Sequence, residues 1–272
     1  MKHFRINILL YAASLLIFSS NSHGQETRRW ERVTDDLEIS EATSNTGRFF
    51  RGSLALVRTS LRRFALRVVT ASSFKGQKAT VKDLCTKSNA VLCINANFFD
   101  TEGKPLGLIV NRGILKQPLH RGGNVLTGAL VLTRNKLSII SRGEFNPENA
   151  IEAIQAGPRL LSGGAPISNI RDIKTPTRRS GVCIDQNQRV VFYATSSALA
   201  GLSIEEVQEI LLRPSIGCID ALNLDGGGSA QMFLNVKKDM TPSATTQIHI
   251  VGEDEVPVVL SLFDNSSSTE RD

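Results

Sequence analysis

Along most of this chain, hydrophobic residues alternate with polar ones or gather in short apolar runs, and helical spacing is uncommon, so the pattern predicts a strand-rich protein. Gly52 to Arg58 and Arg63 to Ala71 place apolar or β-branched residues between Arg and Ser, as half-buried strands do. Ala90–Ile94 and Ile219–Leu224 are short runs of the kind found in buried strands. Leu106–Asn111, Leu126–Thr133 and Lys136–Ser141 are further strands, separated by Gly, Asn and Arg turns. Ser180–Asp185 and Arg189–Thr195 form a hairpin around Gln186-Asn187. Helix signals are few. Thr80 with Asp83 starts a helix ending near Ser88, and Ser203 with Glu206 starts another whose Ile204, Val207, Ile210 and Leu211 share one face. Pro147 behind Asn146 predicts a third, short helix through about Ile154, because proline suits the first helical position. With helices too sparse for regular βαβ alternation, the expected class is α+β: a large mixed, partly antiparallel β-sheet core with a few flanking helices.

The first 24 residues stand apart. Lys2, His3 and Arg5 precede an apolar stretch from Ile6 to Phe18, and small or polar residues follow up to Gly24. That is the layout of a secretory signal peptide, and the apolar stretch is shorter than the roughly 20 residues a membrane-spanning helix needs. The expected organisation is a signal peptide over 1–24, a polar N-terminal arm over 25–51, one domain over 52–264 and a disordered tail over 265–272. An exported protein, periplasmic or secreted, with no stable membrane span after cleavage, follows from it. Loss of Lys2 and Arg5 takes the net charge from +6 to +4, a mild excess that favours anionic ligands. Without a basic stripe interleaved with aromatic residues, nucleic acid is not an expected partner. Export permits disulfides among Cys85, Cys93, Cys183 and Cys218. Three pairings are open, and Cys85–Cys93 with Cys183–Cys218 is preferred for the nearness of the first two in sequence.

Candidate chemistry gathers in a few segments. Leu222-Asn223-Leu224-Asp225-Gly226-Gly227-Gly228-Ser229 puts a carboxylate at the end of an apolar strand, followed by glycines that permit tight bending and close approach of a ligand. Their amides could converge on an anion, where a simple Asp-Gly turn would not need three glycines. Asn95 and Asn97 occupy alternate positions at a strand end and could offer amides to a sugar hydroxyl or a phosphate oxygen. Arg159, Arg178 and Arg179 could bind phosphate through paired hydrogen bonds, although a surface arginine is usually just solvated. No GxSxG, HExxH or P-loop lysine occurs, and His120 and His249 have no recognisable triad partner. No cofactor is required. A divalent cation on Asp225 would suit carboxylate chemistry, and the metal question stays open.

In their order, these segments resemble the phosphodiester glycosidase family, in particular its uncovering-enzyme-like catalytic domain. The resemblance runs from about Gly52 to Leu262, with Asn223-Leu224-Asp225-Gly226-Gly227-Gly228-Ser229 as its specific element. Asn95-Ala96-Asn97 departs from the common Asn-Gly-Gly turn towards a bacterial branch associated with exopolysaccharide, and Cys183 stands where glycine is frequent. The resemblance implies a hydrolase of glycosyl phosphodiesters, with a sugar-phosphate or glycan as substrate. Its catalytic residues would be Asp225, Arg179 and Arg159, and Asn95, Asn97, Gly226, Gly227, Gly228 and Ser229 would bind substrate. Two other readings remain: a non-catalytic envelope protein binding glycan or glycolipid, and a metal-dependent phosphodiesterase cutting P–O.

Overall fold

A computed structural model describes residues 27–45, 50–239 and 241–266. The expected signal peptide lies outside the described residues, as do residues 267–272 of the expected tail. In chain order the strands and helices are β1 (Glu31–Thr34), β2 (Leu37–Thr43), β3 (Ser53–Thr59), β4 (Phe64–Thr70), α1 (Val81–Ser88), β5 (Leu92–Asn95), β6 (Ile109–Asn111), β7 (Ile114–Gln117), β8 (Gly128–Leu132) and β9 (Leu137–Ser141). They continue with β10 (Glu152–Ala156), β11 (Arg159–Ser162), β12 (Ala165–Pro166), β13 (Ser180–Asp185), β14 (Val190–Thr195), α2 (Ile204–Leu211), β15 (Cys218–Asn223), β16 (Met232–Lys238), β17 (Thr241–Ile250) and β18 (Val258–Asp264).

These strands form three sheets: eight strands in the order β1-β2-β3-β14-β13-β15-β11-β12, five in the order β7-β6-β10-β8-β9, and five in the order β17-β16-β5-β18-β4. Every described pairing is antiparallel, which corrects the expected mixed sheet to a β-dominant, antiparallel architecture. The physical reason is connectivity: parallel neighbours need long crossovers, usually helical, and only α1 and α2 are α-helices among the described residues.

The three sheets share one core. Val57, Val182, Phe192 and Leu222 from the first sheet meet Ile109, Leu130 and Ile154 from the second and Leu66, Ile94, Leu234 and Leu260 from the third. The first sheet is also covered on its other face, where Leu56, Val191 and Tyr193 pack under Val207, Ile210 and Leu211 of α2. That two-sided burial explains why β13 and β14 are buried along their whole length. Thr80 caps α1 by accepting from the Asp83 N–H at 3.1 Å, and Ser203 and Glu206 form the reciprocal capping box of α2.

Two other expectations are corrected. The polar arm over 25–51 contains β1 and β2, and β2 pairs with β3 from Leu37↔Thr59 to Thr43↔Ser53. Val33, Leu37 and Ala42 are buried there, so three apolar residues dock a segment that is polar on average. The helix expected from Pro147 is a single 3-10 turn, Pro147–Asn149, after which Glu152–Ala156 runs as a strand between β6 and β8. Neighbours on both sides outweigh the weak helical signal of the proline.

Candidate functional site

The Asp225 loop lies where all three sheets end together. It leaves β15, whose Asn223 is paired with Gly181 of β13. Its Asp225 N–H donates to the Ala96 carbonyl just after β5, at 3.2 Å. The Gly157-Pro158 turn at the end of β10 completes the junction, with the Asn223 amide donating to the Gly157 carbonyl at 3.2 Å. Glycine is needed at Gly157, because a side chain would run into the Val125 carbonyl. Gly181 is needed for a similar reason, since its missing side chain leaves room for the Tyr193 ring, whose hydroxyl donates to the Leu222 carbonyl at 3.2 Å.

A cleft of about 600 Å³ opens at this junction. Asn223, Asp225, Gly226 and Gly227 line it together with Thr177, Arg179, Phe98, Asn124 and Val125. Burial pushes the Asp225 carboxyl up to about 6. The Ser229 hydroxyl and the Gly226 N–H hold it down against that, and the nearby Asp254 carboxylate adds to the rise. The Ser229 hydroxyl also lies 3.3 Å from Asp254 Oδ2, so its one proton is within reach of either carboxylate.

Arg179 is the distinctive cation of the cleft. Its Nε donates to the Leu202 carbonyl at 3.0 Å and one Nη to the Thr175 carbonyl at 2.9 Å. No carboxylate lies within ion-pair distance among the described residues, and burial lowers its pKa. A half-buried guanidinium held by carbonyls alone is ready for an anion.

The other expected site residues divide sharply. Arg159 does not line this cleft: its guanidinium pairs with Asp220 at 3.2 Å and donates to Ser141 Oγ at 2.8 Å, in a small side pocket next door. Its charge is met by Asp220 there, and the structure does not bring it together with Asp225 and Arg179. Asn95 is fully buried, donating to the Asp225 carbonyl at 2.6 Å and accepting from the Gln231 N–H at 3.0 Å. Asn97 is buried too, its amide nitrogen lying 3.1 Å from the Leu106 and Gln155 carbonyls. Asn95 therefore braces the Asp225 loop, while Asn97 ties the Leu106–Leu108 segment to Gln155 and keeps an Oδ1 with no partner among the described residues. Arg178 likewise donates to the Ala230 and Val251 carbonyls.

The three glycines do not form an anion nest, because the Gly226 amide serves Asp225 and the Gly227 amide donates to the Arg178 carbonyl at 2.9 Å. Two of them answer a backbone or steric need instead. Gly227 has φ +60°, and a side chain on Gly228 would meet Asp254 Oδ2 at 2.5 Å. Ser229 is buried and positions Asp225.

Sequence reasoning left out Asn223, Phe98 and Asp254. Asn223 is buried, lines the cleft and keeps an Oδ1 with no partner among the described residues. Its two-residue offset from Asp225, the same-face spacing of a strand, was the signal that could have found it. Asp254 has no local signal and arrives through the β17–β18 connection. Cys183 and Cys218 form a disulfide joining β13 to β15. Cys85 and Cys93 are free and buried, which corrects the preferred pairing; Cys85 Sγ donates to the Ala90 carbonyl at 3.4 Å and Cys93 Sγ lies 3.1 Å from Ser261 Oγ. Among the described residues no three His, Cys, Asp or Glu side chains gather to hold a metal, and no helix is long and apolar enough to cross a membrane.

Fold and site together define a β-dominant domain with a carboxylate–guanidinium cleft at a junction of sheets. The phosphodiester glycosidase family model matches residues 88–263, and the chain belongs to that family. It is similar to the mouse N-acetylglucosamine-1-phosphodiester alpha-N-acetylglucosaminidase, with 27% identity over 217 residues. That alignment takes in 70% of this chain and 41% of the mouse protein, so the chain spans less than half the length of this relative. In fold it resembles the catalytic domain of the zebrafish N-acetylglucosamine-1-phosphodiester alpha-N-acetylglucosaminidase, at TM-score 0.61 and 16% identity over 88% of each chain. A hypothetical protein from Synechocystis is also similar, at TM-score 0.58 and 16% identity, over 84% of this chain and 62% of that one.

Proposed function

We propose that this chain is an exported hydrolase that cleaves the bond between an anomeric carbon and a phosphodiester oxygen in envelope or exopolysaccharide glycans. The observation that carries the reading is the cleft itself: Asp225, with its raised pKa, shares it with Arg179, a guanidinium that has no carboxylate partner. Arg179 takes the phosphate. Phe98 offers a ring face to a sugar, and the Asn223 Oδ1 accepts from a sugar hydroxyl. Asp225 in its ionised form takes a proton from water as the water oxygen bonds to the anomeric carbon. The C–O bond breaks, and its electron pair leaves with the phosphate monoester. That leaving group is stable as an anion, so it needs charge stabilisation from Arg179 more than it needs a proton. Of the two carboxylates lining the cleft, Asp225 is the sheltered one and Asp172 is exposed, so Asp225 carries work that glycosidases usually divide between two.

Export is supported by the leader-like residues 1–24 and by the Cys183–Cys218 disulfide, a bond favoured in oxidising compartments. The name of the mouse relative suggests an α-linked N-acetylglucosamine 1-phosphodiester as the first substrate to try. In water enriched with heavy oxygen, the label is expected in the sugar hydroxyl and not in the phosphate. Label in the phosphate would mean P–O cleavage and overturn the proposal. Asp225→Asn should lose about a thousandfold in turnover with the fold retained.

A further inference from the structure

A second hollow, of about 900 Å³, shares no lining residue with the Asp225 cleft. It lies where the edge strand β4 meets the second sheet, and Arg67, Arg112 and Arg134 line it beside Leu66 and Glu152. A smaller hollow of about 370 Å³ adjoins it through Arg67 and Arg112 and adds Lys87. The two make one trough with four cations and a single carboxylate.

That carboxylate forms no ion pair with the arginines, although Arg67 and Arg112 lie near enough to favour its charged form. Glu152 is buried and accepts from the Val68 N–H at 2.9 Å and the Arg112 N–H at 3.2 Å. None of Arg67, Arg112, Arg134 and Lys87 makes an ion pair among the described residues. Arg67 is half-buried, its guanidinium over the Phe263 ring at 5.2 Å. Arg112 occupies a turn position at φ 52°, where Gly or Asn would be less strained. The β4 edge adds backbone capacity. Val68 turns its N–H to Glu152 and its carbonyl to the Asn111 amide, away from β18. By the two-residue alternation of an antiparallel strand, the Leu66 N–H and carbonyl point the same way, into the larger hollow.

We propose that this trough is a second binding site, for an extended anionic polysaccharide. A single small anion would leave most of such a trough empty and most of its cations unused. A chain with repeated phosphate or carboxylate groups satisfies several guanidinium groups at once, and its hydroxyls can bond the free strand edge. Glu152 and Gly157 mark the two ends of the β10 segment, so the trough and the catalytic cleft are about 17 Å apart at the rise of extended chain. A polymer held in the trough is thereby kept close to the cleft.

The inference stands apart from the proposed reaction, and its test does too. Binding is measured on full-length Asp225→Asn protein with phosphomannan as the phosphodiester polymer, polygalacturonate as the carboxylate polymer and dextran as the neutral control. The expected result is salt-sensitive binding of one or both anionic polymers and none of dextran. Adding Arg67→Gln, Arg112→Asn and Arg134→Gln together should weaken it at least tenfold. In the otherwise native protein, the same three changes should leave turnover of a small soluble glycosyl phosphodiester unaltered. If the triple variant fails to fold, Arg134→Glu on its own, at an exposed turn, should weaken binding severalfold. Undiminished binding in the folded variants overturns the site, as does equal binding of dextran or a preference for duplex DNA over both polysaccharides. A protein that binds as expected but hydrolyses nothing would sink the enzyme and spare the trough.

Discussion

Arg159 opens β11 and Arg179 immediately precedes β13, two strands of the same sheet that flank β15 on either side. In sequence they look alike, each an arginine at or just before a strand start. In three dimensions they do opposite things. Arg159 meets Asp220 and two serine hydroxyls, and its charge is spent on holding β11 against β15. Arg179, one residue before β13, meets only carbonyls and opens onto the cleft. An arginine's function is therefore set by what neutralises it. A guanidinium with a carboxylate at hand is structural, and one kept half-buried without a carboxylate is held for a ligand.

The largest effect that could break this contrast is at Arg179. Arg179→Gln should lower kcat/KM on a glycosyl phosphodiester by about a hundredfold to a thousandfold, the usual scale for removing one group that stabilises developing charge. Thermal stability should hold or rise slightly, because a buried charge without an internal partner is removed. Full activity in this variant would put the phosphate elsewhere. The next effect belongs to Arg159. Arg159→Gln should destabilise the fold by about 2 kcal/mol and alter kcat/KM little. The cost stays below that of breaking a fully buried pair, because the Asp220 side chain keeps 27% exposure. Denaturant unfolding measures it, and adding Asp220→Asn should recover part of the loss. A stable Arg159 variant with no activity would reverse the two assignments.

The same contrast shows how far the sequence could be read. The strands around the core were legible where the pattern was local: the alternation of β3, the apolar runs of β5 and β15, and the hairpin β13–β14 all lie where expected. Both helix caps were legible too, because Thr80 and Ser203 each act within three residues. β1 and β2 were not, since their polar composition hides the few residues, Val33, Leu37 and Ala42, that dock them. At the site, Asp225 and its glycines were visible as a motif, yet the glycines' purpose was not. Gly228 is fixed by the approach of Asp254, a residue 26 positions later. Asn95 and Asn97 looked like ligands because amides bond carbonyls and sugars equally well. Only the fold shows that carbonyls have taken their amide nitrogens.

The smallest effect sharpens the electrostatic side of the contrast. Arg179 shares its cleft with a carboxyl held near pH 6, and Ser229 is one of the groups keeping that carboxyl from rising further. Ser229→Ala removes a hydrogen bond to the charged form, so the Asp225 pKa should go up by about half a unit to one unit. If the ionised carboxylate is the working form, kcat/KM falls as pH drops through that pKa. The acid limb of the wild-type profile should then centre near pH 6, and that of Ser229→Ala should lie at higher pH. Asp254→Asn should move the limb the other way, because it removes the negative charge that adds to the rise. The opposite pair of shifts would mean that Asp225 is not the group whose ionisation limits the rate. A limb that falls with rising pH would instead make Asp225 an acid, with the leaving oxygen as its target in place of water.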